Sequence, residues 1–443
     1  MKTKKIGFIS LGCSKNLVDS ENMIGILSEK GYEITENIEE AEVIIVNTCA
    51  FIDSAKAESI ETILDAASYK ETGVCKTLIC AGCLSERYKD EVLTELPELD
   101  AIVGVQDYDR IAEAIEEAEK GGNKTFFGGN ASDKTLPRVI TTPKHTAYLK
   151  IAEGCDNFCS YCAIPFIRGR YKSRPMDEIV AEAETLAKGG VKELIVIAQD
   201  TSRYGVDLYK EKKLPELLGK LCKIENIKWV RVHYCYPEEI NEEIIEVFKT
   251  EEKIVKYMDI PIQHADDEIL KKMNRKTTGD ELRTLINKLR KEIPGIAIRT
   301  SLIAGFPGET EEQFETLYNF VKEMKFERLG AFAYSAEEGT RAAKMENQID
   351  DDIKEERAGI LMDIQNRVAE ENGKKMIGKT LTVLTEGFDD ESCLYFGRSY
   401  MDSLDVDALV YFGAEEEVNA GEFVNVKIMD YVDYDLTGEM IYD

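Results

Sequence analysis

From Lys5 to about Ala118, short apolar runs alternate with amphipathic stretches. IGFISL, EVIIVNT, KTLICAG and DAIVGV read as strands, and helices are expected to start near Asn16, Ser54, Leu84 and Asp107. This alternation predicts an α/β fold, an open parallel sheet with helices on both faces, over residues 1–120. Residues 121–145 are rich in Gly, Asn, Thr, Lys and Pro, show little periodicity and read as a linker. A second βα series fills 146–373, with strands at AYLKIA, KELIVIAQ, KWVRVHY, YMDIPIQ, IAIRTSLIAG and RLGAFAY. Helices are expected there at about 176–188, 238–249, 266–291, 310–324 and 351–373. Six repeats are too few for a closed eight-stranded barrel, so a partial (β/α)6 barrel is expected, with its site at the carboxyl ends of the strands. From 374 to 443 the period changes to two, through KTLTVLTE, SCLYFGRSY, ALVYFG and EFVNVKIMDYVDYDLTGEM, which predicts a small all-β barrel.

Composition narrows the function. No run approaches the roughly 18 uncharged apolar residues of a membrane span. The apolar stretch near the N-terminus is short and reads as a strand rather than a signal peptide, so a soluble cytoplasmic protein without membrane partners is expected. The net charge of −29 opposes binding to phosphate backbones and favours a basic partner. Residues 376–443 alone hold three basic and sixteen acidic side chains, a net of −13. Eleven cysteines are too few for a disulfide scaffold and too clustered for core filler, which makes metal or redox chemistry the leading expectation.

EGCDNFCSYCAIP sets Cys155, Cys159 and Cys162 in a C-x3-C-x2-C spacing just after the first strand of the second series. Three thiolates on one tight loop can each reach a separate iron of a [4Fe–4S] cube and leave the fourth iron open. A closed zinc site needs a fourth ligand, and no Cys or His close by supplies one. The loop resembles that of the radical S-adenosylmethionine (SAM) superfamily. That resemblance implies SAM on the open iron, Tyr161 near the adenine, Gln199 and Asp200 of IAQDTSRYG at a SAM-contacting strand end, and Gly305 and Glu309 of GFPGET at a turn close to the nucleoside.

Cys13, Cys49 and Cys83 each end or closely follow an apolar strand of the first domain, in FISLGC, VIIVNTC and TLICAGC. Carboxyl ends of neighbouring parallel strands face one crevice, so the three can converge on a second, auxiliary cluster with one iron unprotected by protein. Cys80 makes C-x-x-C with Cys83 but lies inside a strand and reads as core, and Cys75, Cys222, Cys235 and Cys393 share no spacing pattern.

SLGCSKNLVDSE, VNTCAFI, GCLSERY, EGCDNFCSYCAIPFIRGRYKSR, IPIQHADDEILKKMNR and AGFPGET together resemble the methylthiotransferase family, whose members join a cluster-bearing domain, a radical SAM barrel and a small TRAM barrel. The resemblance implies two [4Fe–4S] clusters, SAM, an external electron donor and a sulfur donor, with no catalytic residue beyond the cluster ligands. Family members modify either an aspartate of ribosomal protein S12 or an adenosine of tRNA. The acidic C-terminal barrel, the IAQDTSRYG, RVHYCYP and DIPIQH wording and the GRSYMDSLDVDALVYF segment point to the S12 branch and argue against direct nucleic-acid binding. The tRNA adenosine (C2) reading is the alternative. Arg168, Arg170, Lys172 and Arg174 in RGRYKSRP are the candidates for substrate contact. The β-carbon of an aspartate carries unactivated C–H bonds beyond the reach of an ordinary side-chain base, and a radical route is what the resemblance implies.

Overall fold

A computed structural model describes residues 4–442. The first sheet holds six parallel strands: β1 (Lys5–Ser10), β2 (Glu33–Thr35), β3 (Val43–Thr48), β4 (Thr77–Gly82), β5 (Ala101–Val103) and β6 (Lys124–Phe126), in the order β2-β1-β3-β4-β5-β6. VIIVNT and TLICAG are buried along their whole length because helices cover both faces of the sheet. β6 forms from residues that read as linker, since a three-residue edge strand carries too little pattern to be seen in the sequence. The rest of that segment is docked. Gly25 leaves room for the Pro137 backbone, and Arg138 is clamped between Glu21 and Glu182, which joins helix Ser14–Glu29 to helix Met176–Lys188.

The central domain begins with β7 (Thr146–Lys150), followed by a small antiparallel pair, β8 (Ala152–Glu153) and β9 (Lys172–Ser173). β10 (Glu193–Ile197), β11 (Trp229–Val232), β12 (Ile254–Asp259), β13 (Ala297–Ala304) and β14 (Arg328–Ala333) then complete a parallel sheet ordered β14-β13-β12-β11-β10-β7. Among the described residues β7 and β14 do not pair with each other, so the barrel stays open. Two of its helices start on capping boxes, Thr278 with Glu281 and Thr310 with Gln313, which satisfy first-turn N–H groups. The helix expected over 266–291 is broken at Asn274, whose φ of 63° no helix interior tolerates, and becomes Asp267–Lys272 and Gly279–Glu292.

β15 (Thr380–Asp389), β16 (Leu394–Arg398), β17 (Val410–Gly413), β18 (Phe423–Val432) and β19 (Asp435–Ile441) close the C-terminal barrel. The long β16–β17 connection leaves this barrel and fills the concave face of the central one. There Leu404 packs with Tyr148, Ile195, Ile197 and with Val18 of the N-terminal domain. Arg231 donates to the Tyr400 carbonyl at 2.8 Å, Tyr257 Oη to Asp407 at 2.8 Å, and Arg328 pairs with Asp402. Helix Ser14–Glu29 covers the neighbouring part of the same face, with Asp19 paired to Lys150 of β7. Both flanking domains thus complete the inside of the open barrel.

Candidate active site

β1, β3 and β4 are neighbours, so their carboxyl ends open on one crevice. Cys13 stands at the N-cap of helix Ser14–Glu29, Cys49 follows β3 and Cys83 starts the helix after β4. Two left-handed glycines let these loops close on one another. A Cβ on Gly12 (φ +85°) would lie 2.7 Å from Cys49 Cβ and 3.0 Å from its Sγ, and one on Gly82 (φ +91°) would meet the Asn47 side chain and the Thr48 carbonyl. Asn16 Nδ2 donates to Leu11 O at 2.7 Å and Thr48 O at 3.2 Å, and Asn47 Nδ2 returns a bond to Asn16 O at 2.8 Å, so the Cys13 and Cys49 loops are tied together. Burial pushes Cys83 up to about 12; Cys13 and Cys49 add to the rise and Arg168 opposes it. Burial likewise raises Cys49. Cys13, which opens onto the crevice, goes the other way: burial is outweighed by Lys15, Arg168 and the helix-start N–H groups, and the thiol falls below its ordinary range.

Among the described residues no three or more Cys, His, Asp or Glu side chains are set around a single ion. Ligands of a four-iron cube each bind a different iron, so they stand further apart than the ligands of one ion. Two thiols that burial makes costly to ionise, Cys49 and Cys83, beside the readily ionised Cys13 and facing Arg168, fit that group.

The second triad sits on the loop after β8. Gly154 (φ +75°) brings it against the Arg170 backbone, and Cys155 N donates to Gly169 O at 3.2 Å. The left-handed turn at Phe158 is held by its carbonyl, which accepts from Asn274 Nδ2 at 3.1 Å and Arg341 at 2.8 Å. Ser160 N donates to Met273 O at 3.0 Å, and Ser160 O accepts from Ala342 N at 2.8 Å. Arg275 lies over the Tyr236 ring at 4.2 Å with its guanidinium 4.0 Å from Cys159 Sγ, and Tyr236 Oη is 3.5 Å from the same sulfur. Burial pushes Cys155 up to about 12 and Cys162 up as well, each raised further by neighbouring thiols of the loop. Tyr161 packs with Ile303, Phe306 and Met273 at the end of β13.

A buried charge network joins the two triads. Arg168 donates to Asp19 at 2.6 Å and Asn16 at 3.0 Å in the N-terminal domain, and to Glu153 at 3.3 Å in the central one; it also lies 3.5 Å from Cys83 Sγ. Burial works against the Glu153 carboxylate, but Lys150 and Arg168 hold it down to about 2. Gln199 Nε2 donates to Glu153 at 2.8 Å, and Gln199 Oε1 is buried without a partner, an acceptor left for a bound molecule.

Several expected contacts resolve differently. Arg168 is buried against Cys83, with its guanidinium engaged by Asp19, Asn16 and Glu153. Arg174 spends its guanidinium on the Lys150 carbonyl and Glu182. Arg170 is exposed over the Phe158 ring and paired to Asp156, and Lys172 is exposed. The Asp200 carboxylate is taken by Asn157 and Ser202, so it braces the cysteine loop. Gly305 (φ +74°) makes room for Lys354 of the long helix Asp351–Lys374, and Glu309 is held by the Gly305 N–H and Arg357. The sequence reading passed over Asn16, Asp19, Lys150, Glu153, Asn274 and Arg275. Glu153 precedes Gly154-Cys155, a local signal, whereas Asn274-Arg275 falls inside a continuous helical pattern.

Three family profiles match the chain: Uncharacterized protein family UPF0004 over residues 5–104, Radical SAM superfamily over 149–321 and TRAM domain over 377–441. A protein of Lachnoclostridium phytofermentans is 54% identical across 98% of this chain and 99% of its own length, and one of Acetivibrio thermocellus is 51% identical across 99% and 98%. Both carry the name ribosomal protein uS12 methylthiotransferase RimO. Among solved structures, the radical S-adenosylmethionine methyltransferase TsrM of Kitasatospora setae shares the fold with a TM-score of 0.55 at 14% identity, covering 75% of this chain and 73% of that one. The cobalamin-dependent S-adenosylmethionine radical enzyme OxsB gives 0.54 at 9% identity, over 82% and 56%.

Proposed function

The chain belongs to the RimO family of ribosomal protein uS12 methylthiotransferases, and from that premise we propose which of its residues carry the reaction. The enzyme adds a methylthio group to the β-carbon of an aspartate of uS12, with SAM and two [4Fe–4S] clusters as cofactors. Cys155, Cys159 and Cys162 would hold the cluster whose electron cleaves SAM, and Cys13, Cys49 and Cys83 the cluster that presents sulfur for transfer. Asn274, Arg341 and Asp200 fix the loop that carries the first set. Arg275 and Tyr236 place a cation and a phenol at Cys159, where cluster charge would otherwise stand unbalanced. Gln199, held through Nε2 by Glu153, keeps an unpartnered oxygen that would accept from bound SAM. Arg168 and Asp19 join the two cysteine-bearing domains through a buried ion pair.

The observation that carries this reading is the convergence of three cysteines from three strand ends, beside a second triad, with Arg168 reaching both domains. The identity and full coverage of the relatives support uS12 over the tRNA alternative. Among the described residues no helix is long and apolar enough to cross a membrane. A ribosomal protein is made and assembled in the cytoplasm, where we place the enzyme. Mass spectrometry of uS12 incubated with the anaerobically reconstituted, reduced enzyme and SAM tests the whole reading. A methylthio adduct on an aspartate is expected. Unchanged uS12 together with methylthiolated adenosine in tRNA offered alongside would refute it.

A further inference from the structure

The central sheet ends on β14, whose outer edge has no strand partner among the described residues. β7 and β10 are buried throughout, whereas every residue of β14 retains exposure. Register sets Arg328, Gly330 and Phe332 beside Arg299, Ser301 and Ile303, so they share the concave face. Between β14 and the β16–β17 connection runs a groove of about 450 Å³, lined in part by Gly330, Phe332, Gln365, Val406, Asp407 and Tyr434.

Three independent features of this groove suit a polypeptide. Phe332 is 55% exposed, Val406 47% and Tyr434 40%, an apolar cluster in an otherwise acidic region. Gly330, mid-strand, seats the Phe332 ring, since a Cβ there would lie 3.1 Å from it. Gln365, only 2% exposed, leaves Oε1 without a partner, and Arg328 leaves Nε without one, an acceptor and a donor that a peptide group matches. Along the edge itself, Ala331 N–H meets only the Met362 thioether at 3.3 Å, a weak acceptor that a strand carbonyl would replace. Glu327 and Asp407 are paired with Arg290 and Arg299, so Asp435 and the net −13 of the barrel that forms one wall give the groove its acidic balance.

We propose that this groove receives an extended, positively charged segment of uS12, added as a seventh strand along β14 and directed toward the carboxyl ends where the cysteine loop lies. Ribosomal proteins are basic because they bind RNA, and an acidic groove selects such a segment and rejects a phosphate backbone. The inference rests on uS12 as the substrate.

Two variants and one capture experiment test it, with iron content as the check on folding. Phe332→Ala and Val406→Ser each remove part of the exposed apolar lining. Each should raise KM for uS12 about tenfold, which is about 1.4 kcal/mol of binding, with a much smaller change in kcat. A photo-crosslinking phenylalanine analogue placed at 332 should capture uS12 within a few residues of the modified aspartate. Unchanged KM in both variants, or crosslinks only to distant parts of uS12, would overturn the groove while leaving the proposed function intact. A wild-type enzyme that left uS12 unmodified would instead overturn both.

Discussion

At the residue scale, the chemistry depends on side chains whose charge is tolerable only in company. Arg168 is buried among Asp19, Glu153, Lys150 and Cys83, and breaking such a network costs about 3–5 kcal/mol because the abandoned partners stay desolvated. Arg168→Met should lower the thermal midpoint and cut methylthiolated uS12 per 5′-deoxyadenosine formed. Arg168→Lys should recover stability but not that ratio, since a point charge cannot bridge both domains as the planar fork does. An unchanged product ratio in both variants would remove Arg168 from the positioning role. Cys80 and Cys83 make a sharper comparison. Cys80 is bonded to Ser85 and Thr48 within the core, and burial lifts its thiol to about 11. Cys83→Ala should cost about four irons per chain on reconstitution, whereas Cys80→Ala should keep the full complement. Equal losses in an iron assay would mean that the C-x-x-C pair was assigned the wrong way round.

At the scale of elements, the β16–β17 connection ties the C-terminal barrel to the catalytic domain. Leu404→Ala should destabilise by about 2–5 kcal/mol, the usual result of emptying a buried leucine site, read as a shifted denaturation midpoint. Beside it, Glu193 is shared by Arg231 and Arg398 with no side-chain exposure, so Glu193→Gln leaves two buried cations short of their counter-charge. His233, bonded to Ser403 at 2.8 Å, is held neutral chiefly by burial and then by Arg231, Arg299 and Lys15. Its folded pKa lies below the unfolded value of about 6.5, so the unfolded chain takes the proton first. Stability is then full above about pH 6.5 and is lost as pH falls below it. His233→Gln should flatten that part of the wild-type pH–stability curve; parallel curves would exclude His233 as the source.

For the whole molecule, the acidic C-terminal barrel does two jobs with its charge. Asp402, Asp407 and Glu386 are committed to Arg328, Arg299 and Arg398, while the remaining acids are left to attract a basic partner. Removing residues 376–443 would strip partners from buried arginines of the central domain, so the expected outcome is an insoluble or aggregating chain rather than a selective loss of substrate choice. Charge reversal of exposed Glu415, Glu416 and Glu417 is the cleaner measurement. It should slow modification of uS12 at low salt, with the gap from wild type closing as screening shortens toward about 8 Å at 0.15 M ionic strength. A gap independent of salt would deny the barrel any steering role.

The amino-acid sequence alone determined the three-part architecture and the two cysteine sets. Both are written locally, in runs of buried strand residues, in the change of period after residue 373 and in thiols placed just past strand ends. It did not reveal β2 or β6, whose three residues carry no legible period, or the break at Asn274, which a continuous helical pattern hides. Only the tertiary structure decided that Arg168 points inward at Cys83, that Asp200 and Glu309 brace loops, and that both flanking domains fill the open barrel. Such facts join residues far apart in the chain, 43 positions for Asn157 and Asp200 and 149 for Asp19 and Arg168. Periodicity reports which side of an element is buried; which partner buries it is settled by packing, where charges must find counter-charges before water can leave.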